Sequence, residues 1–176
     1  MWQIVREIHI MTKIGGYMNL KYSSDLPYPE IIVEENVQES KLLMPSYSGV
    51  ASELTAILTY SFQSYITLQL PEIRDVIEGI AQTEMLHHEL LGTTITKLGG
   101  FPVMGARSYW NGSFVNYTLD PKKFLKQNIL AEENAIKNYE RTILNLTSPS
   151  VKMLLERIIL DEQVHIEDFK ELLQTL

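Results

Sequence analysis

The segment Glu53-Leu-Thr-Ala56-Ile57-Leu-Thr-Tyr60 returns 79 residues later as Glu132-Glu-Asn-Ala135-Ile136-Lys-Asn-Tyr139, so both read E-x-x-A-I-x-x-Y. A second segment, Ile80-Ala-Gln-Thr83-Glu84-Met-Leu-His87, returns 78 residues later as Ile158-Ile-Leu-Asp161-Glu162-Gln-Val-His165, and both contain I-x-x-x-E-x-x-H. The apolar positions ahead of the second pair match as well: Ile73 with Val151, Val76 with Leu154, Ile77 with Leu155. Two near-equal offsets describe one helical hairpin used twice.

Helical spacing then places the side chains. Residues at i, i+3, i+4 and i+7 lie on one side of a helix. Glu53 therefore shares an apolar stripe with Ala56, Ile57 and Tyr60, and Glu132 shares one with Ala135, Ile136 and Tyr139. Glu84 with His87, and Glu162 with His165, project from the apolar sides of their own helices. Four glutamates thus point into one interior, where unpaired charge is prohibitive. Two divalent cations balance the four negative charges, and neutral imidazoles complete the shell. The expected metal ligands are Glu53, Glu84, His87, Glu132, Glu162 and His165. A lone E-x-x-H is common on solvated helices; two at matched offsets, each joined to a Glu on an apolar stripe, are not. One Glu from each of two helices plus E-x-x-H from each of the other two is the donor pattern of bundles that hold two iron or two manganese ions.

The neighbours of these positions read differently. Glu133 is set aside because the repeat selects Glu132. His88 points about 100° away from His87 and is expected at the surface or an interface. His9 is expected to be solvated, as are Glu78 and Glu89. Asp161 precedes Glu162 and is expected to orient His87 across the bundle, since ligating histidines donate their other N–H to a carboxylate or carbonyl. Tyr60 and Tyr139 fall one to two turns from the metals. They are open to three roles: hydrogen-bonding the ligands, acting as redox-active phenols, or simply filling the core.

The rest of the chain fits around this hairpin pair. Residues 1–45 carry Gly15-Gly16, Pro27, Pro29 and Pro45 without a sustained period, and read as an irregular N-terminal extension in which Met11 and Met18 are alternative starts. Residues 46–176 read as the bundle. A first helix is predicted from Ser46 to Leu68 and a second from Pro71 to Lys97, before Gly99-Gly100. The third opens at Asp120-Pro121 and the fourth at Ser148-Pro149. The first two are joined tightly, as are the last two. Between the second and third, roughly 20 residues can reach ~65–70 Å when extended, enough to cross the bundle lengthwise. The expected fold is all-α: an antiparallel four-helix bundle with one long crossover between its second and third helices, the connectivity of ferritin-like folds.

Composition bounds the function. The net charge of -7 argues against nucleic-acid binding, which needs a basic surface. With no cysteine there is no disulfide, Fe–S cluster or thiolate zinc site, and a reducing cytoplasm is the expected location. Arg6, Glu7 and Lys13 interrupt any signal-peptide core, and the longest uncharged stretch, Leu54 to Pro71, is too polar to span a membrane. Leu54, Leu58, Phe62 and Tyr65 form a second apolar side on the first helix, so a homodimer or larger homo-oligomer is expected.

Residues 46–176 resemble the ferritin-like superfamily, specifically bacterioferritin, rubrerythrin and manganese catalase relatives. The six ligand positions above carry the resemblance, and the phrase IAQTEMLHHELLGTTITKLGG is similar to manganese catalases and related spore-coat proteins. The resemblance implies a dinuclear iron or manganese oxidoreductase acting on H2O2 or O2. The alternatives are manganese-catalase-like disproportionation of H2O2, iron storage, or a structural bundle. Rubrerythrins carry a cysteine-ligated rubredoxin module that this chain lacks, so a peroxidase here needs an external electron donor. They also carry a further Glu where this chain has Ala135, and the six-ligand set is closer to bacterioferritin. The chain stops eleven residues after His165, without the short fifth helix that ferritin cages use, so storage in a shell is not expected. Met85 falls where bacterioferritin has a haem-ligating Met; Met also fills cores routinely, and haem is not expected.

Overall fold

The computed structural model describes residues 20–106 and 108–176; His9, Met11, Met18 and the charged start of the chain lie outside the described residues. Five α-helices occur among the described residues: α1 (Val37–Ser48), α2 (Glu53–Ile66), α3 (Pro71–Lys97), α4 (Pro121–Ile143) and α5 (Pro149–Gln174). Helices α2–α5 form the four-helix bundle. Their starts follow from local chemistry. The Ser52 side chain accepts from the Thr55 N–H at the head of α2, and Asp120 accepts from the Lys123 N–H at the head of α4. Proline opens α3, α4 and α5, where its missing N–H costs nothing. Helix α3 packs along α2, and α5 along α4, as two antiparallel hairpins. At 27 and 26 residues, α3 and α5 run about 40 Å.

The N-terminal region differs from the sequence expectation. Residues 37–48 are helical rather than irregular, and the first bundle helix starts at Glu53, not Ser46. Pro45 was a reasonable breaker, but it lies inside α1, one turn before the helix stops at Gly49. The Asn36 side chain caps α1 by accepting from the Glu39 N–H. Leu43 and Tyr47 of α1 then bury in the core, so tertiary packing outweighs the proline. Glu39 is buried at the head of α5, where its carboxylate accepts from the Thr147 and Ser148 N–H groups and from both hydroxyls. A carboxylate at a helix N-terminus satisfies donors the helix cannot.

Two apolar clusters fill the bundle, one around Leu90, Leu91, Ile95, Leu154 and Leu155, the other around Ile73, Ile77, Phe124 and Phe169. Along α3 and α5, Glu84, His87, Glu162 and His165 fall between these clusters, which therefore close both ends of a polar layer. The crossover between α3 and α4 runs against α2. Trp110 Nε1 donates to Thr55 Oγ1 (2.9 Å), the Asn116 N–H donates to Thr59 Oγ1 (3.2 Å), and Tyr117 meets Phe62 edge-on. On the outer side of α2, Leu58, Tyr65 and Ile66 are exposed, as is Leu68 just past its end, whereas Leu54 and Phe62 are half-buried. No helix among the described residues is long and apolar enough to cross a membrane.

Candidate metal centre

The structure brings together all six residues that the repeat singled out. Glu53, Glu84, His87, Glu132, Glu162 and His165 are buried, none more than 4% exposed. They form two overlapping groups: Glu53, Glu84, His87 and Glu162, and Glu84, Glu132, Glu162 and His165. Within each group the ligand atoms lie within 4.8 Å of one another. Glu84 and Glu162 belong to both, so the geometry is that of two adjacent positions sharing two carboxylates.

Each imidazole turns Nδ1 toward the carboxylates. His87 Nδ1 is 3.2 Å from Glu84 Oε2 and 3.6 Å from Glu53 Oε2; His165 Nδ1 is 3.0 Å from Glu162 Oε2 and 3.1 Å from Glu84 Oε1. The outward nitrogens meet groups that can only accept. His87 Nε2 lies 3.0 Å from Asp161 Oδ2, and His165 Nε2 lies 3.0 Å from the Tyr22 carbonyl oxygen. Both Nε2 atoms therefore carry the proton, and in the neutral ring the Nδ1 lone pairs face the carboxylates.

The two tyrosines cross the repeat. Tyr60 donates its hydroxyl to Glu132, and Tyr139 donates to Glu53, so each phenol holds the glutamate of the opposite half. Of the three roles open to them, this geometry supplies the first.

Electrostatics match the burial. Burial and the neighbouring Glu84 push the Glu53 carboxyl well above the usual range; burial, Glu84 and Glu162 do the same to Glu132. Burial also works against ionised Glu84, but the neighbouring Glu53 and the imidazoles of His165 and His87 outweigh it and hold that group well below its ordinary value. For Asp161 too, burial is the largest single influence and raises the pKa. His87, Arg157 and Tyr28 overcome it and bring the value to about 2. A cluster of this kind is neutralised by protons or by cations, and the orphaned atoms favour cations. Glu84 Oε1 and Glu162 Oε1 are buried and accept no hydrogen bond, which native interiors rarely tolerate unless an ion is their partner. The donor set, oxygen-rich with two imidazoles, suits iron or manganese.

The set-aside neighbours fall elsewhere. His88 is half-buried and stacks on Tyr47 (centroids 4.2 Å apart); Glu78 and Glu89 are exposed, and Glu133 is half-buried outside the cluster. Several contributors were missed. Ser24 N–H (2.7 Å) and Tyr28 Oη (2.6 Å) both donate to Asp161, and Arg157 pairs with it at 2.6 Å. Thr83 Oγ1 donates to the Tyr22 carbonyl at 3.1 Å. Only Arg157, four residues before Asp161, carried a readable signal; a main-chain carbonyl from a distant segment carries none.

Among the described residues, the site is open on the side of α2 and α4. A cavity of about 220 Å3 reaches Glu53, Glu84, Glu132 and Glu162 between α2 and α4. Ala56, Ala131 and Ala135 line it, with Phe114 and Asn116 of the crossover at its wall. The histidines lie on the other side, beneath residues 22–28.

Comparison with known proteins agrees with this architecture. A manganese catalase from Anabaena PCC7120 superposes with a TM-score of 0.77 at 26% identity, over 82% of this chain and 75% of that one. The Desulfovibrio desulfuricans bacterioferritin, whose structure describes a diiron site, gives 0.65 at 24% identity over 79% and 82%. A dodecameric thioferritin from Bacteroides fragilis gives 0.64 at 19% identity over 81% and 88%. No curated protein matches the chain. Residues 47–173 match the model of the family Rubrerythrin, and with that span and this bundle the chain belongs to the rubrerythrin family, within the ferritin-like superfamily.

Proposed function

We propose that this protein binds two iron or manganese ions and uses them for two-electron redox chemistry on hydrogen peroxide or dioxygen, as a peroxidase or ferroxidase. The observation that carries the reading is the pair of four-residue donor groups sharing Glu84 and Glu162, with orphaned carboxylate oxygens at their centre. Glu53 and His87 would hold one ion, Glu132 and His165 the other, and Glu84 and Glu162 stand within reach of both. The metals supply the electron transfer; the protein supplies geometry, charge and access.

The chain's own groups divide the remaining work. The cavity admits a molecule as small as peroxide along the α2/α4 side, and its alanines leave room where larger side chains would block it. Tyr60 and Tyr139 fix the terminal carboxylates, and the same phenols are the nearest proton donors to them. Asp161 keeps His87 in the tautomer that presents Nδ1. Reductive turnover of peroxide consumes two electrons and two protons. The chain has no cysteine to hold an Fe–S donor, so a separate electron donor completes a peroxidase cycle.

The likeness to a manganese catalase supports a second reading, disproportionation of peroxide without a donor. An oxygen electrode separates the two. Protein purified from its own host is analysed for metals and given H2O2. Loss of peroxide only with a reductant supports the peroxidase; O2 evolution without one supports the catalase. O2 uptake on addition of Fe2+ supports the ferroxidase; two bound ions with none of the three activities would leave a storage or structural role, and no bound ions would refute the metal site.

A further inference from the structure

The two halves of the repeat differ at the positions behind the histidines. One half has Gly79 and Thr83 where the other has Arg157 and Asp161, at the same offset of 78 residues as the ligands. Residues 22–28 lie against both, and each half receives them differently.

Behind His87 stands a carboxylate. Asp161 accepts from His87 Nε2, Tyr28 Oη and the Ser24 N–H, and Arg157 pairs with it. Arg157 in turn donates to the carbonyls of Ser24 and Leu26, both at 2.6 Å, and lies over the Tyr28 ring. Behind His165 stands a neutral carbonyl. The Tyr22 oxygen accepts from His165 Nε2 and from Thr83 Oγ1. Gly79 makes this possible: a Cβ there would lie 2.2 Å from the Tyr22 ring, so only glycine lets that residue sit down on α3. Nothing in the hairpin repeat itself supplies the second acceptor; the N-terminal segment does.

An anionic acceptor polarises an imidazole N–H more strongly than an amide carbonyl, and makes the other nitrogen a better donor to a metal. Arg157 offsets part of that charge but also fixes the carboxylate in place. We propose that the two metal positions are unequal, and that the position of Glu53 and His87 fills before that of Glu132 and His165. Asp161 and Tyr28 are positioning residues that act through His87, and the Tyr22 carbonyl does the same for His165. The inference rests on the dinuclear reading above.

The test is site-resolved. Full-length protein is freed of metal, given one equivalent of Mn2+ without oxygen and crystallised, and anomalous scattering reports occupancy at each position. The expected result is Mn2+ at the His87 position, favoured about tenfold or more, the scale of outer-shell effects on metal affinity. Asp161→Asn keeps the shape and removes the charge, and should abolish or reverse the preference. Tyr28→Phe removes a donor that competes with His87 for Asp161 Oδ2, leaves Asp161 charged and should strengthen the preference, which keeps the test decisive where Asp161→Asn does not fold. Equal occupancy in the wild type, preference for the His165 position, or variants that leave the preference unchanged would overturn the inference while two ions at saturation keep the dinuclear reading. Failure to bind two ions at saturation would overturn both.

Discussion

At the scale of single residues, the centre is defined by who faces whom. Tyr139 and Glu53 come from helices opposite in the bundle, and each is at most 4% exposed. Both line the wall of the cavity, yet almost nothing of either reaches bulk solvent. Tyr139→Phe keeps the ring and removes one donor from a buried acceptor, a loss of about 1–3 kcal/mol. The expected outcome is a lower urea midpoint with unchanged helical circular dichroism, together with weaker metal retention during dialysis against a chelator. Retention equal to wild type would show that Tyr139 only fills space.

At the scale of elements, α1 matters through Glu39. Burial is the largest single influence on this carboxyl and raises its pKa. The Ser148 and Thr147 hydrogen bonds outweigh it and bring the value below the ordinary one. A carboxyl with a lowered folded pKa stabilises fully above its unfolded value, about 4.3, and that contribution fades as pH falls through the folded value. Glu39→Gln should therefore destabilise by about 2 kcal/mol near neutral pH. The gap to wild type should narrow as the solution is acidified below about pH 4. Urea unfolding of both proteins across pH measures it; a gap independent of pH would mean that charge does not carry the contact. This helix is not legible in the local pattern, because Pro45 reads there as a stop. Burial of Leu43 and Tyr47 against α3 is a long-range gain that no local window contains.

At the scale of the whole molecule, the proposed ions and a second copy of the chain are the partners the fold points to. The centre ties together α2, α3, α4 and α5, so ions that bind only the folded state stabilise all four at once. At a free-ion concentration a thousand times Kd the gain is about 4 kcal/mol. Calorimetry with and without a chelator should show a lower, broader transition for the stripped protein. Outside the bundle, Leu58, Tyr65 and Ile66, with Leu68 just past the helix, leave an apolar side of α2 in water, and patches of this kind mark association surfaces. We expect a homodimer or larger in light scattering at micromolar concentration, and dissociation in the double variant Leu58→Glu, Tyr65→Glu. A monomeric wild type would remove this expectation.

The sequence by itself determined the repeated hairpin, the helix starts at Pro71, Pro121 and Pro149, the long crossover, and the six inward-facing side chains. Each is a periodic or local feature: spacing puts a side chain on a face, and a cap or proline starts a turn. Even the partnership of His87 with Asp161 was legible, because helix register fixes where both point. Only the tertiary structure decided what else lies behind the histidines. The Tyr22 carbonyl and the Tyr28 hydroxyl come from a segment without period, whose path is set by the surface it covers, the Gly79 seat on α3 included. Main-chain acceptors are the same at every residue, so no residue type announces them. Their role exists only once α3 and α5 have presented a groove for that segment to fill.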